Sequence, residues 1–531
     1  VRLVRLHRFV VAQLQAPLPQ LQRDREELRG SLIASSAFHT GHPYGWAGST
    51  ARDLVNLHGL RMQTAARSIA SACALLGSFA CASASRPAMS DDAVTAAARP
   101  IHDRVMTLDT HVDIDPGNFL PGELNYAQRL STQVDLTKME EGGLDAVFFS
   151  IYVGQGPLDS AGYARAYAQD TAKFNAVHRL AEQIAPQRIA IAYTADEARR
   201  IYASGRKVAF MGVENGYAIG TDIGRVKEFY DRGARYMSLS HNGHSQLSDS
   251  NTGEATNEWA WHGLSPLGRQ VVAEMNRWGI MIDVSHPSKE SMMQTLALTK
   301  APIIASHSAV RSLCNHSRNL DDEQLRALAK NGGVVQMVAF RSYVKCDPAA
   351  DAARTAATAA LNQEFGIVTP TRGGGAGRGG APVVRRPAPG TPGPACPAPA
   401  AGGRGAFAAA TDSQVAALSP ERRQQYQDRQ RAIGERYPAS AGATVKDFVD
   451  HIDYAVKLIG IDHIGISSDF DGGGGLDGFN CALESINVTK ELVRRGYSEA
   501  QIEKMWSGNL LRVLEDVERT AKRIQAGEMR S

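Results

Sequence analysis

The chain has no Cys-x-x-Cys among its six cysteines and no His-Glu-x-x-His. The first absence argues against a zinc knuckle or a thioredoxin-type redox pair, and the second removes the commonest helical zinc-protease site. It also lacks a charge excess: 58 Lys+Arg against 55 Asp+Glu leave a net +3, so neither nucleic acid nor an anionic membrane is signalled as a partner. One glycine pattern, Gly473-x-Gly475-x-x-Gly478, matches a dinucleotide fingerprint, but it follows Asp469-Phe470-Asp471 and opens no clear helix. No nucleotide cofactor is therefore expected. What the chain does have is 43% hydrophobic residues over 531 positions, enough for a full core and too many for disorder throughout. One barrel of roughly 250 residues or more, with dispensable segments around it, fits that length.

Two stretches stand apart from such a barrel. After Met62 and Arg67 comes a small, apolar run at 69–79, shorter than the ~20 residues of a bilayer span. Ala80-Cys81-Ala82-Ser83-Ala84 then offers A-x-A cleavage sites. Residues 62–84 read as a secretory signal peptide, which makes the protein exported, periplasmic or secreted. Lipid anchoring at Cys81 is the weaker reading, because Ser78-Phe79 suits a lipoprotein site poorly, and a buried Ala-rich helix is the bland one. A signal peptide works only at an amino terminus and residue 1 is Val, so residues 1–61 are expected to be a poorly ordered upstream extension absent from the natural product. The second stretch is 347–442, where 372–405 is almost wholly Gly, Ala, Pro and Arg. That composition cannot offset the entropy of folding, so a largely disordered insertion is expected, with a helix at 419–436 opened by Ser419-Pro420-Glu421.

The remainder, 85–346 and 443–525, alternates short apolar runs with stretches of helical period. The runs are 105–110, 146–153, 208–213, 236–240, 280–285, 302–306, 334–340 and 464–468. Helix-start signals such as Ser265-Pro266, Thr444-x-x-Asp447 and Ser498-x-x-Gln501 follow several of them. This predicts an α/β fold, a (β/α)8 barrel of the TIM type. A run at 189–193 could be a ninth strand, and a doubly wound sheet is the alternative.

In a barrel the active site forms where strands end, so polar residues directly after the apolar runs carry the information. The first run leads into His111-Val112-Asp113, whose two ligand-type side chains lie on the same side of an extended chain. The third ends in Glu214-Asn215-Gly216, the fifth in Asp283-Val284-Ser285-His286, the sixth in Ser306-His307-Ser308 and the eighth in Ser468-Asp469-Phe470-Asp471. Any one of these is as readily a loop polar residue. Together they give three imidazoles and two carboxylates suited to zinc, with a glutamate able to bridge two cations. Asp109 and Asp115 share the side of His111 and Asp113, so an exchange among those ligands stays open. Lys207 starts a strand and sits at the wrong pole for a bridging role, and His451 and His463 read as packing or solvent residues.

The order and spacing of Gln133-Val134-Asp135-Leu136, Glu141-Gly142-Gly143, Gly212-Val213-Glu214-Asn215-Gly216, Asp283-Val284-Ser285-His286, Ser306-His307-Ser308-Ala309, Arg318-Asn319 and Ser468-Asp469-Phe470-Asp471-Gly472 resemble the membrane (renal) dipeptidase family of zinc peptidases, in the form of a bacterial secreted member. The resemblance runs from about Ile101 to Glu518, outside the insertion. It implies two Zn2+ per chain, with His111 and Asp113 on one, His286 and His307 on the other and Glu214 between them. It implies His241 as the substrate-polarising histidine, Arg318 as the grip on a terminal carboxylate, Asp469 as the acid-base residue and Tyr343 as a further substrate contact. The implied activity is hydrolysis of dipeptides with a free carboxylate by a hydroxide bridging the two zinc ions. A homodimer is left open.

The resemblance also pairs Cys314 with Cys346, whereas Cys396 and Cys481 have no evident partner. The loop at Asn242-Gly243-His244-Ser245-Gln246-Leu247 departs from the family's more common Thr-Cys-containing one, so substrate selectivity does not carry over. Competing readings are an amidohydrolase-type barrel acting on N-acyl amino acids or cyclic amides, and a secreted barrel that binds zinc or peptide without turnover.

Overall fold

The computed structural model describes residues 89–367, 396–397, 414–415, 417–437 and 442–530. The expected upstream extension at 1–61, the expected signal peptide at 62–84 and most of the 372–405 stretch lie outside the described residues. Among the described residues no helix is long and apolar enough to cross a membrane.

One parallel sheet organises the chain: β1 (Leu108–Asp113), β2 (Ala146–Tyr152), β3 (Ile189–Ile191), β4 (Lys207–Glu214), β5 (Ala234–Ser238), β6 (Met281–Asp283), β7 (Ile304–Ser308), β8 (Val334–Val338) and β9 (Ile464–Ser467). Eight of these follow in the order β1-β2-β4-β5-β6-β7-β8-β9. The ring is nearly closed into a (β/α)8 barrel where Val112 bridges Phe470 and the Asp113 N–H donates to the Phe470 carbonyl at 2.9 Å. The run near 189 is a real ninth strand: β3 pairs with β4 off that path. Helices begin where the sequence signals them, with capping boxes at Thr444/Asp447 and Ser498/Gln501 and Ser265 capping the helix Pro266–Trp278.

Strand residues alternate between two cores, as a period of two requires. Ala146 and Phe148 of β2 and Val208 and Phe210 of β4 belong to one cluster, which also contains Tyr236 and Leu514 of the helix Asn509–Gln525. Val147, Phe149, Ala209 and Met211 belong to the other, under the surrounding helices. Following the first face towards the strand ends, its residues turn polar, reaching Ser150 and Glu214. The apolar floor and the polar mouth of the barrel are successive positions on the same strand faces.

Two helices are described within 347–442. A helix at Pro348–Phe365, unexpected from the sequence, packs against the helix Pro420–Arg436 through Leu361, Phe365 and Tyr426, and the Tyr426 hydroxyl donates to Asn362 Oδ1 at 2.7 Å. Its start was readable: Asp347 caps it, Pro348 is its first residue, and an Ala-rich run has the highest helix propensity. Cysteine pairing is corrected as well. Besides Cys314–Cys346, with Cα atoms 5.4 Å apart, Cys396 pairs with Cys481. The low-complexity segment there returns to the loop after β9, where Asn480 Nδ2 donates to the Pro397 carbonyl at 2.7 Å.

Candidate active site

Each donor is placed by the end of a strand. His111 and Asp113 lie on β1, Glu214 ends β4, His241 and His286 follow β5 and β6, His307 lies in β7 and Asp469 follows β9. Two of these positions defy simple alternation. Leu108 and Ile304 face the inner core, which by period two would send His111 and His307 outward. The pairing register shifts between Asp109 and Val112 in β1 and between Ala305 and Ser308 in β7. Such irregularities re-aim side chains beside active sites. Here they turn two imidazoles inward, with ring centroids 4.0 Å apart.

Around Glu214 the donors converge. Its Oε1 lies 3.0 Å from His286 Nε2, 3.4 Å from His307 Nε2 and 3.6 Å from His241 Nε2, and its Oε2 lies 3.3 Å from His111 Nε2. Asp113 Oδ2 is 3.6 Å from His111 Nε2. Asp469 joins His111 and Asp113 in a group whose ligand atoms lie within 4.8 Å of one another. All seven side chains are buried or nearly so.

This donor set fits divalent metal. His111 Nε2 has no hydrogen-bond partner among the described residues, and the Nε2 atoms of His286 and His307 face each other at 2.9 Å. Two imidazole lone pairs at that separation repel unless a proton or cation lies between them, and nitrogen ligands reach zinc at about 2.0–2.1 Å. Burial would raise the Glu214 carboxyl, but His111, His241 and His286 outweigh it and hold the group well below the usual carboxylate range. Burial, with the nearby Arg318 cation, keeps His286 well below the usual imidazole value, and burial with His111 does the same for His307. Neutral imidazoles at His286 and His307 and an ionised Glu214 are the states that bind metal, whereas against its burial Tyr236, Glu214 and Asp113 hold His111 well above the usual imidazole value. Burial, then Asp113 and Glu214, hold the Asp469 carboxyl well above its usual range against the pull of His111.

Supporting groups fix the donors. The Tyr236 hydroxyl donates to the Thr110 carbonyl at 3.2 Å and so accepts from His111 Nδ1, 2.8 Å away. Gly212 makes room for that ring, since a Cβ there would lie 2.0 Å from it. Asp469 has a left-handed backbone, φ 59°, as does Asp471, φ 61°. Asp471 secures this turn by accepting from the backbone N–H groups of Gln133 and Val134 at 2.8 and 3.2 Å. Asp109, a candidate for ligand exchange, points away: its Oδ1 accepts from the backbone N–H groups of His111 and Ser468. Asp115 caps the turn at Gly117.

Arg318 lies beside the donors, 3% exposed, its Nη2 donating to the His307 carbonyl at 3.0 Å. Its Nε has no partner among the described residues, and its guanidinium lies 5.4 Å from the centroid of the Tyr343 ring. Tyr152, which the sequence reading passed over, places its ring 4.6 Å from that of His241. Its place at the end of an apolar run was the signal. Lys207 pairs with Asp145 at the opposite pole, and His451 bonds the backbone at Val310 and Val344.

The model of the membrane dipeptidase family, peptidase family M19, matches residues 95–528. The chain belongs to the membrane dipeptidase family. As a member it is a metallopeptidase-type hydrolase. It is 28% identical over 395 residues to a dipeptidase, aclJ, of Aspergillus oryzae, covering 73% of this chain and 71% of that one. Among solved structures it is similar to the probable dipeptidase PvdM of Pseudomonas aeruginosa, 29% identical with a TM-score of 0.61 over 81% of this chain and 99% of that one. A metallo peptidase of Rhodobacter sphaeroides, solved with a phosphinate mimic of the dipeptide L-Ala-D-Ala, shares the fold at 20% identity and a TM-score of 0.53, over 78% and 99% of the two chains. The family's fold is thus this chain's fold, its metal dependence is this chain's, and the donor cluster at the barrel mouth is the candidate metal site.

Proposed function

We propose that this membrane dipeptidase family member is a binuclear zinc dipeptidase that cleaves dipeptides with a free C-terminal carboxylate. The observation that supports this is the buried Arg318 guanidinium, which has no carboxylate partner among the described residues and is tied to the backbone of a metal-type ligand, His307. A buried cation needs an anion, and the forked guanidinium suits a carboxylate. Its closeness to the donors would suit a short substrate, with the scissile carbonyl near Glu214 and the carboxylate on Arg318.

His111 and Asp113 would hold one cation, His286 and His307 the other, with Glu214 shared. When bound, the pair supplies Lewis acidity and lowers the pKa of water. Asp469 would take a proton from an attacking water and return it to the leaving amine. His241, on the Tyr152 side, would donate to the carbonyl oxygen as charge develops there. Tyr343 walls the carboxylate end beside Arg318. Export is the accompanying proposal, since the two disulfides need an oxidising compartment.

Metal analysis of the purified protein, with hydrolysis assays on dipeptides, C-terminally amidated dipeptides, N-acyl amino acids and cyclic amides, tests the reading. Bound zinc with chelator-sensitive hydrolysis confined to free-acid dipeptides is expected. Turnover of N-acyl amino acids or cyclic amides with dipeptides untouched would move the protein to another amidohydrolase-type activity. Zinc bound with no turnover would leave a binding protein.

A further inference from the structure

We infer that Asp283 and Ser306 form a hydrogen-bond relay behind His307 that fixes which ring nitrogen carries its proton, keeping Nε2 free as a donor to a divalent cation. The inference rests on the reading of His307 as a metal ligand. Asp283 and Ser306 act through that histidine and are positioning residues.

The relay follows from counting protons. Asp283 ends β6 and is fully buried. Its Oδ1 accepts two backbone N–H groups, from Ser285 at 3.1 Å and Ser306 at 2.8 Å, and its Oδ2 accepts the Ser306 hydroxyl at 2.6 Å. Burial raises the Asp283 carboxyl and the hydrogen bonds from Ser306 and Ser285 pull it back down. With both its oxygens engaged as acceptors it is read as a carboxylate, which only accepts, and a hydroxyl has one proton. With that proton committed to Asp283, Ser306 Oγ can only accept from His307 Nδ1, 2.8 Å away. Nδ1 therefore carries the ring proton, and the lone pair is at Nε2, the atom facing Glu214 and His286. The His307 N–H donates to Ser285 Oγ at 2.8 Å, which fixes the backbone beneath the ring.

The geometry depends on the register shift in β7. Consecutive strand residues normally point to opposite faces, yet Ser306 Oγ and His307 Nδ1 lie within hydrogen-bond distance. The irregularity that turns His307 towards the donors also brings its own neighbour behind it.

Asp283→Asn distinguishes this from simple packing. The asparagine oxygen must stay on the two backbone N–H groups, which leaves its amide N–H facing Ser306 Oγ. The serine would then donate to His307 Nδ1, and the ring proton would move to Nε2, where it blocks the metal. The shape is retained and the relay's direction is reversed. Ser306→Ala only removes the preference.

The test uses the full-length protein, stripped of metal and titrated with zinc against a chromophoric chelator. Loss of an outer partner of a ligating histidine typically costs about 10–100-fold in metal affinity. We expect Ser306→Ala to weaken one zinc within that range and Asp283→Asn to weaken the same zinc further, with the other zinc changed far less and circular dichroism unaltered. A second arm reads the tautomer directly by 15N NMR of histidine-labelled, metal-free wild type, where His307 should be protonated at Nδ1. It holds even if Asp283→Asn fails to fold. A proton on Nε2 in wild type, wild-type zinc affinity in both variants, or a larger loss in Ser306→Ala than in Asp283→Asn would each overturn the relay. A wild type that takes up no zinc sinks the metal-centre reading instead, and the tautomer then decides the relay alone.

Discussion

The guanidinium of Arg318 donates to the carbonyl of His307, so the group suited to a substrate carboxylate and a metal-type imidazole share one stretch of backbone. Arg318→Ala should then act on binding. Hydrogen bonds to charged groups contribute about 1.5–3 kcal/mol, so KM for a free-acid dipeptide should rise roughly tenfold to a hundredfold with kcat little changed. Comparing each dipeptide with its amide checks this: wild type should prefer the free acid and the variant should lose that preference. An unchanged KM would remove Arg318 from carboxylate recognition.

Tyr236→Phe should weaken the His111 side of the centre. It leaves the Nδ1–H of a buried ring without its acceptor, at a cost of about 1–3 kcal/mol. Thermal unfolding of the metal-free protein and zinc titration should both register it. Gly212→Ala should do similar harm from beneath by displacing the Tyr236 ring.

The loop carrying His241 should be most firmly held in mildly acidic solution. His244 Nδ1 lies 2.9 Å from Asp249 Oδ1. That carboxylate raises His244 above 6.5 despite partial burial, while burial of Asp249 is outweighed by His244 and by the backbone N–H groups of Gly263, Ala260 and Trp261, which lower it below 3.8. The raised histidine contributes fully below its ordinary value and is lost as pH rises through its folded one. The lowered aspartate contributes above its ordinary value and is lost as pH falls through its folded one. Amide protection across 241–263, corrected for the intrinsic exchange rate at each pH, should therefore be greatest between about pH 4 and 6.5 and decline as pH rises through the folded value of His244. A profile flat from pH 5 to 8 would deny the pair that role.

Non-reducing peptide mapping should recover two linked pairs, 314 with 346 and 396 with 481. Free thiols at Cys396 and Cys481 in oxidised protein would refute the second.

Much of the barrel could be read from the chain because buried parallel strands are continuous apolar runs, and the donors stand where those runs stop. His111, Glu214, His286 and His307 needed no more than that to be singled out. Three things were hidden for physical reasons. The register shifts that turn His111 and His307 inward arise from pairing between strands, which no single run contains. Tyr236 and Ser306 look like ordinary strand residues until their partners, remote in the chain, are known. The Cys396–Cys481 bond starts in a stretch without hydrophobic pattern, so nothing local signals where it docks.

The two ends of the 347–442 segment stay close: Lys345 Nζ lies 3.3 Å from Asp447 Oδ1, and the Val344 carbonyl accepts from His451 Nε2 at 2.8 Å. The chain thus leaves the barrel and rejoins it at one doorstep, with the Cys396–Cys481 bond as a second tie in between. A graft of a few glycines and serines could replace the excursion, with Cys481→Ser removing the orphaned thiol, and the shortened chain would keep the donor cluster at the barrel mouth.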